Sequence, residues 1–137
     1  MDTVTYILDS TVIADRFRQH PQVIQRLTHA GEAGHILGLC DPVRYEVLRG
    51  LLKVNATNKL QLFQEKIAPL FDYLPLTDAD WERAAELWAQ MRNQGKQLSD
   101  ADLLIASLAQ RLNAVIVTSD ADFAALPVSR EDWRDVQ

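Results

Sequence analysis

The chain has 137 residues, of which 47% are hydrophobic and 24% charged, and its formal net charge at pH 7 is −5. These values are ordinary for one globular domain, and a chain of this length buries roughly two-thirds of its unfolded surface on folding. The acidic balance argues against a protein that coats nucleic acids by bulk attraction, but not against an enzyme whose own site must be acidic to hold a metal.

The sequence carries no sign of secretion or membrane insertion. No run approaches the roughly 18 consecutive apolar residues of a membrane span, and the N-terminus lacks the basic start of a signal peptide. Cys40 is the single cysteine, so no internal disulfide can form, and a reducing compartment is its natural setting. We therefore expect a cytoplasmic protein without membrane association, made of a single domain over residues 1–137.

In the first half of the chain, short β-prone runs alternate with helical patterns. The predicted elements are a strand over residues 4–8, a helix that begins near Val12, a helix over 21–30, a strand over 35–40 and a helix that begins at Asp41. Asp9 directly follows the first strand, at the carboxyl end where ligands bind in open α/β sheets. An aspartate there can equally be an N-cap or turn residue, and position alone does not decide between the two interpretations.

Glu46 lies in the helix that begins at Asp41. The apolar residues of that helix recur on one side, and at 100° per residue Glu46 falls on the other side, near Arg49 and Lys53. Periodicity therefore favours a solvent-exposed Glu46 that pairs with Arg49.

The second half of the chain continues the alternation. The predicted elements are a helix over residues 60–70, an edge strand over 71–76, a long helix over 78–92, a helix that begins at Asp100, a strand over 114–117 and a short last strand after Pro127. The run over 114–117 is continuously apolar, which is typical of a strand buried on both faces in a parallel sheet. Asp120 follows closely and so stands, like Asp9, at a carboxyl end.

The helix that begins at Asp100 is the most informative element of the sequence. Ser99 is placed to cap it, and Asp102 follows three residues later in the capping-box position. Apolar residues then cover most of the circumference, which predicts a buried helix. Asp100 and Asp102 would lie at the positive end of its dipole, where metal-binding carboxylates can be held ionised.

The alternative is that these aspartates are helix-start residues only. The tetrad of Ser or Thr, Asp, Ala and Asp occurs three times, at residues 77–80, 99–102 and 119–122, and each copy fits a capping box. Local sequence alone does not separate a metal ligand from a cap at any of the three positions.

The alternation of strands and helices predicts an α/β fold, a three-layer α/β/α sandwich with a mainly parallel central sheet. Right-handed crossovers place the strand ends that feed helices on one edge of such a sheet. Asp9, Asp120 and the start of the helix at Asp100 are therefore expected to meet at that edge.

Four segments in this order resemble the motif series of PIN-domain ribonucleases, and in size the chain is most similar to the VapC-type toxins of bacterial toxin–antitoxin pairs. The segments are Leu8-Asp9-Ser10-Thr11-Val12, Glu46 within its helix, Asp102-Leu103-Leu104-Ile105-Ala106 and Thr118-Ser119-Asp120-Ala121-Asp122-Phe123. The resemblance spans nearly the whole chain and implies a PIN-like fold. It departs from the family pattern at Thr11, where the family usually has Asn or Ser.

The resemblance implies a quartet of catalytic, metal-binding acids, formed by Asp9, Glu46, Asp102 and Asp120. It thereby assigns Glu46 to the site despite its periodicity. Neighbouring polar side chains become candidates for supporting the quartet, namely Ser10, Asp100, Thr118 and Asp122. The implied cofactor is Mg²⁺ or Mn²⁺, because hard divalent cations take oxygen ligands and can polarise a phosphate. The implied activity is endonucleolytic cleavage of RNA phosphodiester bonds by the toxin of a type II toxin–antitoxin system.

The resemblance also implies an RNA substrate, a homodimer and a small antitoxin protein laid across a groove near the site. That groove would involve the helices over residues 11–30 and 42–70, where exposed apolar side chains such as Leu52 or Phe63 are candidate contacts. Arg16, Arg44 and Arg49 are candidate phosphate contacts, although an ordinary surface charge is the favoured alternative for each.

A non-catalytic PIN-like module, which binds RNA or a protein without cutting it, is the main alternative. Acids at all four positions of the quartet favour catalysis, and metal-dependent RNA cleavage would decide between the two. Other catalytic constellations find no support in the sequence, because Cys40 has no partnered base and the three histidines lack zinc-ligand spacing.

Overall fold

A computed structural model describes residues 2–135. Within them the strands are β1 (Thr5–Leu8), β2 (Ile36–Cys40), β3 (Asp72–Leu74), β4 (Val115–Val117) and β5 (Ser129–Glu131). All neighbours pair in parallel, in the order β3-β2-β1-β4-β5. Leu8 is in register with Val117, so the central strands β1 and β4 end side by side. This edge of the sheet, where the carboxyl ends meet, is called the carboxyl edge below.

Helices flank the sheet and complete the three-layer α/β/α architecture that the sequence predicts. The α-helices of the described residues are α1 (Ser10–Phe17), α2 (Pro21–Glu32), α3 (Asp41–Lys53), α4 (Thr57–Leu62), α5 (Asp78–Asn93) and α6 (Asp100–Leu112). No helix within residues 2–135 combines the length and the apolar character that crossing a membrane requires.

The helix α6 is a core helix, as its sequence predicts. Residues 102–109 are all buried, and the helix packs against α5 and α3. The Ser99 hydroxyl caps it by accepting a hydrogen bond from the Asp102 amide at 3.1 Å. Asn113 ends it in the left-handed region, with a φ of 51°. The predicted cap and burial of this helix are therefore confirmed.

The predicted helix over residues 60–70 is helical throughout but changes form twice. α4 ends at Leu62, and the chain continues as a π-helical turn over Phe63–Ile67 and a 3₁₀ turn over Ala68–Leu70. A π turn is wider than an α turn and shifts the angular position of every side chain that follows it. Regular helical periodicity therefore does not describe this segment.

The expectation that Phe63 is an exposed contact is wrong. Its side chain is fully buried, and Ile67 four residues later is buried with it. Both belong to the core, so this segment turns its largest apolar side chains inward. Leu52, the other expected contact, is 60% exposed.

The predicted short last strand is β5, at the edge of the sheet opposite β3. Trp133 follows it and is buried, with its indole N–H donating a hydrogen bond to Glu131 at 2.9 Å. Arg134 then pairs with the buried carboxylate of Asp15 in α1 at 2.7 Å. The ion pair between Arg134 and Asp15 connects the end of the described chain to α1.

Candidate functional site

The carboxyl edge gathers acidic side chains from four separate elements. Asp9 follows β1 as the N-cap residue of α1, and Asp120 lies three residues beyond β4. Asp102 comes from the first turn of α6, and Glu46 from the middle of α3. These four residues are called the acidic cluster below.

Asp102 lies at the centre of the acidic cluster. Asp9, Glu46 and Asp102 each offer one carboxylate oxygen, and these three oxygens lie within 4.8 Å of one another. A second group within the same distance joins Asp102 to Asp120 and Asp122. Asp9 and Asp102 are only 2% and 5% exposed, whereas Asp122 is exposed. The carboxylates therefore extend from the protein interior to its surface.

Thr118 connects the ends of β1 and β4 between Asp9 and Asp120. Its buried hydroxyl donates a hydrogen bond to Asp9 Oδ2 at 2.7 Å and accepts one from the Asp120 amide at 2.9 Å. One oxygen of the Asp120 carboxylate in turn accepts a hydrogen bond from the Asp122 amide at 2.9 Å. A single hydroxyl thus orients two members of the acidic cluster.

Thr11 adds a second hydroxyl at the same edge. Its Oγ1 accepts a hydrogen bond from the Ser119 amide at 3.1 Å and lies 3.5 Å from the Thr118 hydroxyl oxygen. The residue that departs from the family pattern therefore helps to hold the chain after β4. Sequence reasoning missed this role, although its place two residues after Asp9 was an available signal.

Two oxygens of the acidic cluster are buried without a hydrogen-bond partner among the described residues, Asp9 Oδ1 and Glu46 Oε1. Leaving a buried polar atom bare costs about 1–3 kcal/mol, and more for a charged group, so such atoms are uncommon. Both belong to residues of the group of three that includes Asp102. A cation at this position would give both oxygens the partner that they lack.

Burial and mutual repulsion raise the pKa of the carboxyl groups at the inner end of the cluster. Burial is the largest cause at Asp102, followed by the charges of the other three members, and the pKa of Asp102 rises to about 7. Burial also raises the pKa of Asp9, and burial with the charge of Asp9 raises the pKa of Glu46. Two carboxylates about 5 Å apart repel by roughly 3 kcal/mol at an effective dielectric near 20. A fully ionised cluster is therefore strained until a cation binds.

The donor set fits a hard divalent cation. Every ligand on offer is a carboxylate oxygen, which Mg²⁺ and Mn²⁺ accept, and a softer metal would call for imidazole or thiolate instead. Asp9, Glu46 and Asp102 would hold the cation from the inner side. Asp120 and Asp122 are available at the side that opens to solvent.

The periodicity-based prediction that Glu46 is solvent-exposed is wrong. Its side chain is 16% exposed and Oε1 is buried, although the expected pairing exists, with Arg49 at 3.7 Å from Oε2. The reason is that α3 packs against α6 and against α1. A helix covered from two directions has no simple apolar and polar side, so the position that periodicity assigns to solvent faces the carboxyl edge.

The first two copies of the repeated tetrad differ in what surrounds their last aspartate. Asp80 accepts a hydrogen bond from the Thr77 amide at 2.9 Å and pairs with Arg111 at 2.8 Å, while being only 1% exposed. Asp102 occupies the same place at the start of α6 but faces three other carboxylates. The carboxylate of Asp80 is thus paired with the positive charge of Arg111, whereas the carboxylate of Asp102 is surrounded by like charge.

The capping box predicted for the third copy is wrong by one residue. Asp120, not Ser119, caps the short 3₁₀ helix Ala121–Ala125, and its carboxylate accepts the hydrogen bond from the Asp122 amide. The turn that follows Asp120 therefore helps to hold its carboxylate at the carboxyl edge.

The other two supporting candidates lie at different places. Ser10 directly follows Asp9, and its backbone lowers the pKa of Asp9 and so opposes burial, which is the largest cause of the rise. Asp100 is exposed and lies outside both groups of converging carboxylates found in residues 2–135. It lines a neighbouring surface cavity with Trp81 and Leu104.

Comparison with known proteins supplies independent information about this arrangement. A family model of the PIN domain matches residues 6–128, a stretch that contains all four members of the acidic cluster. Ribonuclease VapC11 of Mycobacterium tuberculosis is 32% identical over 123 residues, and the match covers 85% of this chain and 87% of that protein.

Solved structures share the fold at lower identity. VapBC2 from Rickettsia felis, bound to a DNA fragment of its promoter, superposes with a TM-score of 0.85 at 21% identity, covering 95% of this chain and 99% of that chain. A toxin–antitoxin complex from Klebsiella pneumoniae gives a TM-score of 0.69 at 19% identity, covering 96% and 99%. The topology described above is therefore that of proteins found in toxin–antitoxin complexes.

Proposed function

The chain belongs to the PIN-domain family, and we propose that it is a metal-dependent endoribonuclease, the toxin of a type II toxin–antitoxin pair. One observation carries the proposal. Asp9, Glu46 and Asp102 each place one oxygen within 4.8 Å of the others, and Asp9 Oδ1 and Glu46 Oε1 have no hydrogen-bond partner within residues 2–135. The similarity to a protein named ribonuclease VapC11 supports RNA as the substrate class.

In this proposal Asp9, Glu46, Asp102 and Asp120 are the catalytic and metal-binding residues. The chemistry that Mg²⁺ or Mn²⁺ supplies when bound is polarisation of the scissile phosphate and activation of water. The Thr118 hydroxyl fixes Asp9 by donating to Oδ2 at 2.7 Å, which leaves Oδ1 free to act as a ligand. The cap at Ser99 fixes the first turn of α6 and with it the position of Asp102.

The outer side of the acidic cluster receives the substrate. Asp120 is half-buried and Asp122 is exposed, so a phosphate in solvent can approach the cluster from that side. The buried carboxylates behind them stay in place because their hydrogen bonds and the packing of α6 restrict them. Such preorganisation reduces the reorganisation that the reaction needs.

Cleavage of RNA by the purified protein tests the proposal. We expect labelled RNA to be cut internally in Mg²⁺ or Mn²⁺ and to remain intact in EDTA. Asp102→Asn, purified in parallel, controls for contaminating nucleases and is expected to be inactive. RNA binding without any cleavage under all metal conditions would instead support the non-catalytic PIN-like module.

We also propose an antitoxin and a second copy of the chain as protein partners, and the cytoplasm as the place of action. A surface cavity of about 720 Å³ between α2 and the end of the 3₁₀ turn is lined by Ile24, Leu27 and Leu70. It lies between the two helical regions where the resemblance places the antitoxin groove. An amphipathic segment could set its apolar face there.

A further inference from the structure

The acidic cluster opens beside a cavity with exposed aromatic walls. This cavity, of about 520 Å³, lies between α3 and the first turns of α5 and α6 and is called the aromatic cavity below. Tyr45 and Trp81 line it and are 61% and 57% exposed. Aromatic side chains of this size are largely buried in most folded proteins. Exposed ones that share a cavity are typical of a surface that binds a ligand or another macromolecule.

Two residues that line the aromatic cavity are sequence neighbours of members of the acidic cluster. Tyr45 precedes Glu46 in α3, and the lining residue Ala101 precedes Asp102 in α6. The link between these two parts of the surface is Arg49, which lines the cavity and lies 3.7 Å from Glu46 Oε2.

Arg49 lies at the junction of these two parts. Its guanidinium group stands 5.0 Å from the centre of the Tyr45 ring, and one of its nitrogens lies 3.7 Å from Glu46 Oε2. The side chain is 55% exposed and so remains available to a ligand. A cation at this point complements a phosphate that connects a unit in the cavity to a unit at the cluster.

We propose that the aromatic cavity binds an unpaired base of the RNA substrate, next to the phosphate that the acidic cluster cleaves. This inference rests on the function proposed above. Tyr45 and Trp81 provide ring faces on which any base can stack, and Arg49 contacts the connecting phosphate.

Asp100 gives the aromatic cavity a means of selecting among bases. It lines the cavity, is exposed and can accept a hydrogen bond from an amino group. Cytosine, adenine and guanine carry such a group, whereas uracil can donate only from its ring N3–H, so Asp100 can distinguish the first three by their amino group. A neutral ring with amino donors suits a cavity that also contains the carboxylate of Asp41, whereas an acidic protein segment does not.

Substitution of the two rings tests the proposal, with another exposed tryptophan of the same helix as the control. We expect Tyr45→Leu and Trp81→Leu each to raise KM for RNA cleavage by about tenfold or more, with a smaller effect on kcat, because stacking on one ring is lost. Trp81→Phe should retain most of the affinity. Trp88 is 44% exposed and lies seven residues further along α5, where it lines a second cavity with Trp81 but not the aromatic cavity, so Trp88→Leu should match the parent.

An abasic nucleotide tests the base itself. After the cleavage position has been mapped, single abasic sites are placed on either side of it. One of these positions should raise KM for the parent protein as much as Trp81→Leu does. Combining that substrate with Trp81→Leu should raise KM no further, because the same stacking contact has been removed twice.

The possible failures can be told apart. If the parent cleaves RNA and Trp81→Leu behaves like Trp88→Leu, the aromatic cavity is refuted and the proposed function stands. If Trp81→Leu instead changes the oligomeric state in sedimentation, the cavity is an interface between copies and the proposal is equally overturned. If the parent does not cleave RNA, the proposed function fails, and RNA binding then tests the aromatic cavity. Anisotropy of a labelled oligoribonucleotide should then show at least tenfold weaker binding for Trp81→Leu than for Trp88→Leu, and equal binding refutes the cavity.

Discussion

Asp80 and Asp102 have the same local sequence and the same place in the first turn of a long helix, yet their electrostatic surroundings are opposite. Burial acts against the ionised form of both. At Asp80 the hydrogen bonds and charge of Arg111 outweigh burial and lower its pKa, whereas at Asp102 like charges add to burial. The neighbours of each carboxylate therefore decide its role, and the tetrad around it does not.

These two residues form a matched pair for mutation. We expect Asp102→Asn to reduce RNA cleavage in Mn²⁺ by orders of magnitude, because a metal ligand is lost. In EDTA it should melt no lower than the parent, since one charge leaves a repelling cluster. Asp80→Asn should keep its activity but lose about 1–3 kcal/mol of stability, because it weakens a buried ion pair with Arg111.

Cleavage assays in Mn²⁺ and melting curves in EDTA measure both quantities for both proteins. If Asp102 is a metal ligand, Asp102→Asn loses activity without losing stability, whereas Asp80→Asn loses stability without losing activity. If Asp102→Asn retains activity and Asp80→Asn does too, both aspartates are helix caps and the acidic cluster has no catalytic role.

Among the elements, β1 and β4 are connected at their carboxyl ends by the Thr118 hydroxyl, which hydrogen-bonds to Asp9 after β1 and to the Asp120 amide after β4. We expect Thr118→Val, which keeps the shape but removes the hydroxyl, to raise the Mn²⁺ concentration needed for half-maximal cleavage by about 10- to 100-fold. The reason is that Asp9 would lose the hydrogen bond to Oδ2 that orients its carboxylate, while its Oδ1 has no partner in the part of the chain that the structure describes.

Metal titrations of RNA cleavage test this prediction, with Thr57→Val as the control. Thr57 is exposed at the start of α4, and its replacement should leave the titration unchanged. Activity of Thr118→Val should recover at high Mn²⁺. A titration curve identical to that of the parent would show that Thr118 has only a structural role.

The elements themselves could be predicted where their signals are local. A continuous apolar run predicted β4, and the cap at Ser99 with the apolar circumference after it predicted α6 and its burial. Glu46 could not be placed by periodicity, because its burial depends on which helices pack on α3. Its assignment came from family resemblance. Phe63 was misplaced because its burial depends on how this segment packs against the core, which the local sequence does not show.

At the scale of the whole molecule, the acidic cluster makes folding stability depend on pH. The pKa of Asp102 is about 7 in the folded protein, against 3.8 for an ordinary aspartate. The folded state therefore holds a proton that the unfolded chain has already released in this range. The resulting stabilisation is complete below pH 3.8 and is lost as the pH rises through about 7.

We therefore expect the protein in EDTA to melt several degrees lower at pH 8 than at pH 5.5, a loss on the order of 2 kcal/mol. Asp102→Asn should flatten this dependence, because the group that titrates is gone. Asp72→Asn, which changes an exposed aspartate of β3, should preserve it and serves as the control. Equal pH dependence of all three proteins would mean that Asp102 does not titrate in this range.

A divalent cation should reverse the same trend, because it binds only the ionised carboxylates and competes with the proton. At pH 5.5 we expect Mg²⁺ to change the melting temperature little, since Asp102 is still largely protonated. At pH 8 the cation should stabilise the protein by about 2.7 kcal/mol when its concentration is a hundred times the dissociation constant. Melting curves in Mg²⁺ and in EDTA at both pH values give this difference directly. A stabilisation that is the same at both pH values, or that survives in Asp102→Asn, would place the bound cation somewhere other than the acidic cluster.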